Sequence, residues 1–167
     1  VLAVEDPDTV NNNTTITLGI VGLPDIIVPV SVVDDDVLNI RATPVNLNLS
    51  EGGANGTINI NLTQQPQADV NVSLAVLDPG AATISTNTLQ FTPANWNITQ
   101  SITVSPSNDD DTLDESTSIE ITAAGVTTRT INLSVDDDDV QSISVNAASV
   151  TLNEGETFEL EVSLAFN

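Results

Sequence analysis

The sequence lacks Cys, His, Lys, Met and Tyr throughout its 167 residues. The absence of Cys removes disulfides as a source of stability. Because there is neither His nor Lys to act as a base, catalysis by a Ser or Cys triad is excluded. Zn²⁺ and Cu²⁺ prefer His and Cys ligands, so we do not expect either metal to bind.

Positive charge is almost absent as well. Only Arg41 and Arg129 oppose 24 acidic residues, which gives a formal net charge of -22. Phosphate binding requires clustered Lys and Arg, so nucleic acid and anionic membrane surfaces are excluded as partners. No apolar run is long enough to span a membrane, and we expect no insertion into one. Mutual repulsion of the acids strains a compact fold, so we expect a cationic partner to offset it.

Aromatic side chains are scarce, with three Phe and one Trp in the whole chain. A glycosidase that uses two carboxylates is chemically conceivable, but the acids fall in turns and there is almost no aromatic lining for a sugar cleft. We therefore expect no enzymatic activity. The lone Trp96 is either a sugar-stacking platform or a cover at the edge of the core, and its neighbours Asn95 and Asn97 favour the second interpretation.

Strand-forming residues dominate what is present. The hydrophobic fraction of 40% excludes a disordered acidic tail. Apolar and polar residues alternate with the period of two that is typical of strands, as at Ile58, Ile60 and Leu62. Turn signals separate seven such segments, at residues 45–49, 57–62, 70–76, 89–91, 98–104, 118–121 and 131–135. The pattern predicts an all-β fold of Ig-like antiparallel β-sandwiches with about seven strands per unit.

The sequence repeats with a period of 103 residues. Residues 34–37, Asp-Asp-Asp-Val, recur at 137–140, and Glu51-Gly52 recurs as Glu154-Gly155. Residues 1–52 and 104–155 share 17 identities in a gapless alignment. We therefore predict tandem units in which residues 37–139 form a complete sandwich. Residues 1–36 are then the last part of a preceding unit and residues 140–167 the first part of a following one, within a polypeptide that continues at both ends.

The acidic residues gather in groups that directly follow predicted strands. Two carboxylates about 4 Å apart repel by about 4 kcal/mol at an effective dielectric of about 20, so such groups need a counter-charge or full solvation. Ca²⁺ supplies that charge and takes six to eight oxygen ligands. A solvated acidic linker is the alternative. Recurrence of the groups at one phase of the repeat favours a metal site.

An ordered set of motifs completes the pattern. A strand ends in Leu-Ser-Glu-Gly-Gly at residues 49–53, and residues 89–97 read Leu-Gln-Phe-Thr-Pro-Ala-Asn-Trp-Asn before a further strand. An Asp-rich loop at residues 108–115 precedes another strand, and the last strand ends in Val-Asp-Asp-Asp-Asp at 135–139. In this order the motifs resemble the Calx-beta domain, and the tandem arrangement resembles large bacterial or archaeal cell-surface, adhesin-like proteins built from such repeats.

The resemblance implies that Ca²⁺ sits at one tip of the sandwich. It assigns as ligands Glu51, Asp109, Asp110, Asp114, Asp136, Asp137, Asp138 and Asp139. The place where the family often supplies a further Asp holds Ala81, with Asp78 nearby, so the number of ions stays open. The partial units retain fewer ligands: Asp6, Asp8, Asp34, Asp35 and Asp36 in the first, and Glu154 in the last.

The outward positions of the predicted strands are rich in Asn, Thr and Ser. Eight Asn residues begin an Asn-x-Ser/Thr triplet, namely Asn12, Asn13, Asn48, Asn55, Asn61, Asn71, Asn97 and Asn132. The triplet is a signal for N-glycosylation. Alternation of Asn with Thr or Ser along an exposed strand face produces the same triplet mechanically, and this origin is favoured.

These observations predict an extracellular or cell-surface protein that binds calcium ions and contacts neighbouring repeats of its own chain. The preferred function is a structural or adhesive stalk, or a filament segment that self-assembles, made rigid by Ca²⁺ at the domain junctions. One alternative is a Ca²⁺-sensing regulatory module, which the Asn/Thr-rich surface and the absence of Lys disfavour. Another alternative is a polysaccharide-binding accessory module, but no residue pattern in the sequence indicates one.

Overall fold

The computed structural model describes residues 1–165, and these form thirteen β-strands and no helix. The predicted range 140–167 thus extends two residues beyond the described part. The strands are β1 (Asn12–Leu18), β2 (Ile26–Val32), β3 (Ile40–Thr43), β4 (Asn46–Ser50), β5 (Gly56–Leu62), β6 (Val70–Val76), β7 (Ala82–Ile84), β8 (Thr88–Phe91), β9 (Gln100–Pro106), β10 (Glu115–Ala123), β11 (Val126–Asp136), β12 (Ser142–Val145) and β13 (Val162–Ala165). The described residues therefore contain no helix that is long and apolar enough to cross a membrane.

The central part of the chain is a β-sandwich, as predicted. One sheet has the order β4-β11-β10-β6-β8 and the other β3-β5-β9-β7. All pairings within them are antiparallel except β4 with β11, which is parallel. The seven predicted strands are all present. The structure adds the short strands β3 and β7, of four and three residues, which were not among the predicted segments.

The core lies between the two sheets and follows from the period-two pattern. In β5, Ile58, Ile60 and Leu62 are buried while Thr57 and Asn59 face solvent. Fully burying one such aliphatic side chain stabilises the fold by about 1.5–3 kcal/mol. The largest fully buried side chains are Phe91, Ile58, Ile60, Leu62, Ile102, Ile119, Ile121, Ile131 and Leu133.

Trp96 lies at the edge of this core. Its side chain is half-buried against the buried cluster, and its carbonyl accepts a 2.9 Å hydrogen bond from the Leu62 N–H. The prediction that Trp96 has a structural position is confirmed. The turn that contains it delays the next strand, so β9 begins at Gln100 and Ile98 remains outside it.

The two ends of the sandwich differ in charge. Strands β4, β9 and β11 end, and β10 begins, at one end, which we call the tip. The opposite end, which we call the base, contains the turn between β10 and β11 and the loop that follows β5. The chain enters the central sandwich near the base through β3 and leaves it at the tip through β11.

The 103-residue repeat is visible in the backbone. In the antiparallel pair β1 and β2, Asn12 pairs with Val32, and in β10 and β11 the equivalent Glu115 pairs with Val135. All four glycines with positive φ also form repeat-related pairs: Gly22 with Gly125, at 90° and 73°, and Gly52 with Gly155, at 60° and 88°. The amino-terminal flank therefore adopts the local structure of the matching pair β10 and β11. In the carboxy-terminal flank, β12 pairs with β13 one residue out of register from β3 with β5, and the described residues 149–153, the equivalent of β4, form no strand.

The flanking strand pairs have no second sheet against them in the described structure. Leu18 on β1 and Ile27 on β2 are exposed by 56% and 63%, whereas Ile121 on β10, the equivalent of Leu18, is fully buried. Each flank is a two-stranded sheet, β1-β2 and β12-β13. The division into units at residues 36 and 139 stays a prediction.

Cross-strand hydrogen bonds organise the outer face of the larger sheet. The Asn132 Nδ2 donates to the Asn46 Oδ1 at 2.8 Å, and the Ser134 Oγ donates to the Asn48 Oδ1 at 3.0 Å. Both pairs lie directly opposite each other in the parallel ladder of β4 and β11. Uncharged amides and hydroxyls thus satisfy one another where most proteins expose Lys and Glu.

Candidate metal centre

The tip brings together three segments that are distant in sequence. They are the Glu-Gly turn after β4, the acidic loop between β9 and β10, and the Asp run that follows β11. The parallel pairing of β4 with β11 places Ser50 opposite Asp136, so Glu51 emerges beside the Asp run. The sheet topology, and not proximity in sequence, therefore assembles the site.

Glu51 is the charged residue that is fully buried among residues 1–165, with only 3% of its surface exposed. Its N–H donates to the Asp136 carbonyl at 3.0 Å, which fixes the backbone of the turn. The turn closes through Gly52, whose φ of 60° lies in the left-handed region that favours glycine. The Glu51 Oε2 accepts a 3.1 Å hydrogen bond from the Asp109 N–H, and this bond anchors the acidic loop.

The acidic loop is held by its own carboxylates. The Asp109 Oδ1 accepts a hydrogen bond from the Asp111 N–H at 2.9 Å, and the Asp111 Oδ1 accepts one from the Leu113 N–H at 2.7 Å. Such Asx turns let a short polar side chain replace a backbone partner. Asp109 and Asp111 therefore have fixed positions although both are exposed.

The Asp run continues the alternation of β11. Ile131, Leu133 and Val135 face the core, and beyond them Asp137 and Asp139 are half-buried while Asp136 and Asp138 are exposed. The Asp137 N–H donates to the Asp114 Oδ1 at 3.0 Å, and the Asp139 N–H donates to the Asp137 Oδ1 at 3.0 Å. Every second Asp of the run is thus directed to the same side as the buried face of the strand.

Six carboxylates converge at the tip, and we call them the tip cluster. They form three overlapping groups in which one oxygen from each residue lies within 4.8 Å of the others. The groups are Glu51 with Asp109 and Glu115, Glu51 with Asp137 and Asp139, and Asp109 with Asp111 and Asp137. Glu51, Asp109 and Asp137 each belong to two of them.

This crowding changes proton affinities. Burial raises the pKa of Glu51 above its ordinary value, and the carboxylates of Asp109, Asp137 and Asp138 raise it further, against the lowering effect of the Asp109 N–H. Burial also raises the pKa of Glu115, with added repulsion from Asp109 and Glu51. The pKa of Asp139 is raised by desolvation and then by Asp137 and Asp138. Each shift reports a negative charge that lacks compensation.

Three oxygens of the tip cluster are buried and have no hydrogen-bond partner. They are the Glu115 Oε2, the Asp137 Oδ2 and the Asp139 Oδ2. Buried charged groups are normally paired or bound to a metal, because desolvation without compensation is costly. The two Arg residues do not compensate, since Arg41 and Arg129 lie toward the base, in register with Asn61 and Ile121. Ile121 is six strand residues, or about 20 Å, from Glu115.

A second group of carboxylates occurs in the amino-terminal flank. Asp6, Asp8 and Asp34 offer oxygens within 4.8 Å of one another, and we call them the junction cluster. They are the repeat equivalents of Asp109, Asp111 and Asp137. The local hydrogen bonds recur with them, for the Asp34 N–H donates to the Asn11 Oδ1 at 2.7 Å as the Asp137 N–H does to the Asp114 carboxylate.

The residues predicted as ligands divide into two sets. The structure brings Glu51, Asp109, Asp137 and Asp139 together in the tip cluster and Asp6, Asp8 and Asp34 in the junction cluster. The others lie outside these groups: Asp110, Asp114, Asp136, Asp138, Asp35, Asp36 and Glu154. Of these, Asp114 accepts a hydrogen bond from the Asp137 N–H, and Glu154 is exposed in the turn that it forms with Gly155. The assignment of ligands stays a prediction.

Two members of the tip cluster were not among the predicted ligands. Asp111 is the equivalent of Asp8, so the 103-residue period would have indicated it. Glu115 lies four residues before the buried Ile119 on β10, which places its side chain on the core face of that strand. At the position where a further Asp was considered, Ala81 is buried and the Asp78 Oδ1 accepts a hydrogen bond from the Gly80 N–H at 2.9 Å.

No family model matches the sequence, and no curated protein sequence is similar to it. Several solved structures are similar in fold. The apo form of the Calx CBD1 domain has a TM-score of 0.48 at 17% identity, covering 62% of this chain and 99% of that one. CBD12 from CALX1.2 has a TM-score of 0.48 at 15% identity, covering 75% of this chain and 56% of that one. Domains 4 and 5 of the S-layer protein SbsC have a TM-score of 0.46 at 18% identity, covering 66% and 59%. At these identities the similarity concerns the fold alone.

Proposed function

We propose that the tip cluster binds Ca²⁺ and that the junction cluster is a related Ca²⁺ site. The observation that supports this proposal is the buried Glu51 surrounded by three orphaned carboxylate oxygens, with no cationic side chain at the tip. An uncompensated group of this kind is destabilising unless a cation binds it. Bound metal would supply the positive charge that the sequence lacks.

The ligand chemistry favours Ca²⁺ over other ions. All six side chains of the tip cluster offer carboxylate oxygens. Ca²⁺ accepts six to eight such ligands in a flexible geometry, whereas Mg²⁺ demands a tight octahedron and retains its water. Because Glu51, Asp109 and Asp137 are each shared by two groups, we propose that the tip holds more than one ion.

We further propose that the chain is part of an extracellular stalk or filament whose units are joined head to tail. The Asp run passes directly into Val140 without a flexible Gly/Ser linker. Ca²⁺ bound at each tip would neutralise the repulsion at the junction and stiffen it. Extracellular sites of this type often bind at about 10⁻⁴ to 10⁻³ M, so they fill only where calcium is plentiful.

Glycan attachment is a separate question, and the eight Asn-x-Ser/Thr triplets differ in how suitable their positions are for it. Six of the eight Asn-x-Ser/Thr triplets begin within strands, where pairs such as Asn132 with Asn46 support a structural origin. Asn55 and Asn97 are exposed and lie outside the strands. Mass spectrometry of the natural protein should therefore look for glycans at these two positions first.

Calcium titration of the full chain by calorimetry tests the proposal, together with melting in Ca²⁺ and in chelator. A ligand that binds only the folded state stabilises it by about 2.7 kcal/mol at a hundredfold excess over its dissociation constant. We expect Ca²⁺ to raise the melting temperature and equimolar Mg²⁺ to raise it much less. Absence of binding heat and of stabilisation would refute the site. Micromolar affinity with a large change in X-ray scattering would instead identify a sensor.

A further inference from the structure

A loop at the base of the central sandwich contacts the acidic loop of the preceding unit. The Gln65 N–H donates a 2.7 Å hydrogen bond to the Pro7 carbonyl, and Gln65 forms an isolated parallel bridge with Asp8. Pro7 and Asp8 belong to the segment that supplies two of the three carboxylates of the junction cluster. The base of one unit therefore touches the candidate metal loop of the unit before it.

Gln65 is also fastened to the body of its own sandwich. Its half-buried side chain donates from Nε2 to the Pro93 carbonyl at 2.8 Å. Pro93 opens the turn that leads to Trp96, and Trp96 packs on the core. The following Pro66 is buried as well. The Gln65 backbone is thus linked to the core of the central unit.

The same base loop holds the connecting segment between the two units. The Thr63 N–H donates to the Asn39 carbonyl at 2.9 Å, and the Asn39 N–H donates back to the Thr63 Oγ1 at 3.0 Å. The Thr63 hydroxyl also reaches the Val37 carbonyl at 3.4 Å. The connection at residues 37–39 and the contact at Gln65 are two separate attachments, and two attachments restrict rotation where a single linker would not.

We propose that the loop Thr63 to Pro66 is a docking surface for the acidic loop of the preceding unit, and that Gln65 fixes the angle between units. The partner is the Asp6 to Val10 segment of the neighbouring repeat in the same chain. The contact uses the backbone carbonyl of Pro7, so it does not depend on the side chain at that position. The same contact could therefore form in the central unit, where the equivalent residue is Asp110. Relative motion of adjacent domains is otherwise the default where their interface is small.

The geometry also couples docking to the junction cluster, and this half of the inference rests on the proposed function. Asp8 supplies a carboxylate to the cluster and its backbone to the Gln65 bridge. A cation bound by Asp6, Asp8 and Asp34 would order the segment that contacts Gln65. Docking of this segment would then cost less conformational entropy, and docking would in turn favour binding of the cation.

Spin labels on the full chain can measure the angle between units. The sequence has no Cys, so Thr15→Cys on β1 and Thr57→Cys on β5 provide two unique, exposed attachment points. Pulsed dipolar spectroscopy then gives the distribution of distances between the units. We compare the labelled parent with Gln65→Ala, which removes the side-chain anchor, and with Gln65→Pro, which also removes the N–H donor. Gln64→Ala is the matched control.

In Ca²⁺ we expect a narrow distribution for the parent and for Gln64→Ala, and one broader by roughly a factor of two for the Gln65 variants, as for domains that lose a small interface. If Gln65→Ala and Gln65→Pro, shown to be folded by the melting of the Trp96 fluorescence, are no broader than Gln64→Ala, the docking surface is refuted. If they are broader but the parent has the same width in Ca²⁺ and in chelator, docking stands and the coupling to cation binding is overturned. Calorimetry on the same samples separates that result from failure of Ca²⁺ to bind at all.

Discussion

The Asp109 N–H donates a 3.1 Å hydrogen bond to the Glu51 Oε2 across 58 residues of sequence. This contact joins the turn after β4 to the acidic loop before β10. The hydrogen bond comes from the protein itself, so it positions the loop backbone for ligand binding. A preorganised site loses less conformational entropy on binding than a loop that must first become ordered.

Glu51→Gln should weaken Ca²⁺ binding at the tip by about tenfold or more, since contacts to charged groups are worth roughly 1.5–3 kcal/mol. Gln keeps the shape and an oxygen acceptor for the Asp109 N–H but removes the negative charge. The matched control is Glu120→Gln, because Glu120 lies on β10 outside the tip cluster. Calorimetric titration measures both. Equal weakening by the two variants would indicate diffuse screening of charge and argue against a defined site.

The same substitution should have the opposite effect on stability when metal is removed. Burial raises the folded-state pKa of Glu51 above its ordinary value of 4.5. A carboxyl group shifted in this direction stabilises the fold when it is protonated, and that stability is lost as the pH rises through the raised value. In chelator the wild-type protein should therefore melt at a lower temperature at neutral pH than just above pH 4.5. Glu51→Gln should reduce this difference in melting temperature between the two pH values.

With Ca²⁺ present the pH dependence of the melting temperature should reverse, because protons compete with the metal for carboxylates. The wild-type protein should then melt at a higher temperature at neutral pH than at mildly acidic pH. Melting curves at several pH values, in Ca²⁺ and in chelator, give the comparison directly. Glu120→Gln again controls for the removal of one charge from a highly acidic chain. A wild-type melting temperature in chelator that rises from mildly acidic to neutral pH would contradict the interpretation of Glu51 as an uncompensated buried acid.

The sequence predicts the sandwich well because its signal is local. The alternation of Ile58, Ile60 and Leu62 is enough to place β5 and its buried face. The tip is harder to predict, because membership of the cluster depends on which side of the backbone each acid faces. Asp137 and Asp138 are chemically identical, and only the register carried over from Val135 distinguishes them. Glu115 was overlooked for the same reason, as it looks like one acid among several until β10 fixes its direction.

The Gly52 turn provides a test of the geometry around the site. A Cβ at Gly52 would lie 2.9 Å from the Asp138 Oδ2, and its φ is 60°. Gly125 has a φ of 73° with nothing within 4 Å of its Cβ position. Gly52→Ala and Gly125→Ala should both destabilise the fold by about 1–2 kcal/mol, the usual penalty for a left-handed residue with a Cβ.

Only Gly52→Ala should also impair Ca²⁺ binding, because strain in this turn would shift the adjoining Glu51, a member of the tip cluster, while its Cβ would displace the Asp138 carboxylate. Melting temperature and calcium affinity are measured for both variants, so the shared backbone penalty can be separated from the local effect. If the two variants retain the same affinity for Ca²⁺, the geometry of the Glu-Gly turn does not determine binding at the tip.

The alternation of the Asp run leads to the sharpest comparison. Asp137 and Asp139 are half-buried and belong to the tip cluster, whereas Asp136 and Asp138 are exposed and do not. All four substitutions to Asn remove one charge within a stretch of four residues, so long-range electrostatics are nearly the same for each. If binding is a general attraction to a negative surface, the four variants should lose similar affinity, and the loss should largely disappear at high salt.

If the tip is a coordination site, Asp137→Asn and Asp139→Asn should each weaken Ca²⁺ binding by about tenfold, or about 1.4 kcal/mol, while Asp136→Asn and Asp138→Asn change it little. Asp137 should be the more sensitive of the two, because it is shared by two groups of the cluster and its Oδ1 also accepts the Asp139 N–H. Titrations of the four variants at two salt concentrations distinguish these outcomes, and a uniform loss across the run would contradict the site described here.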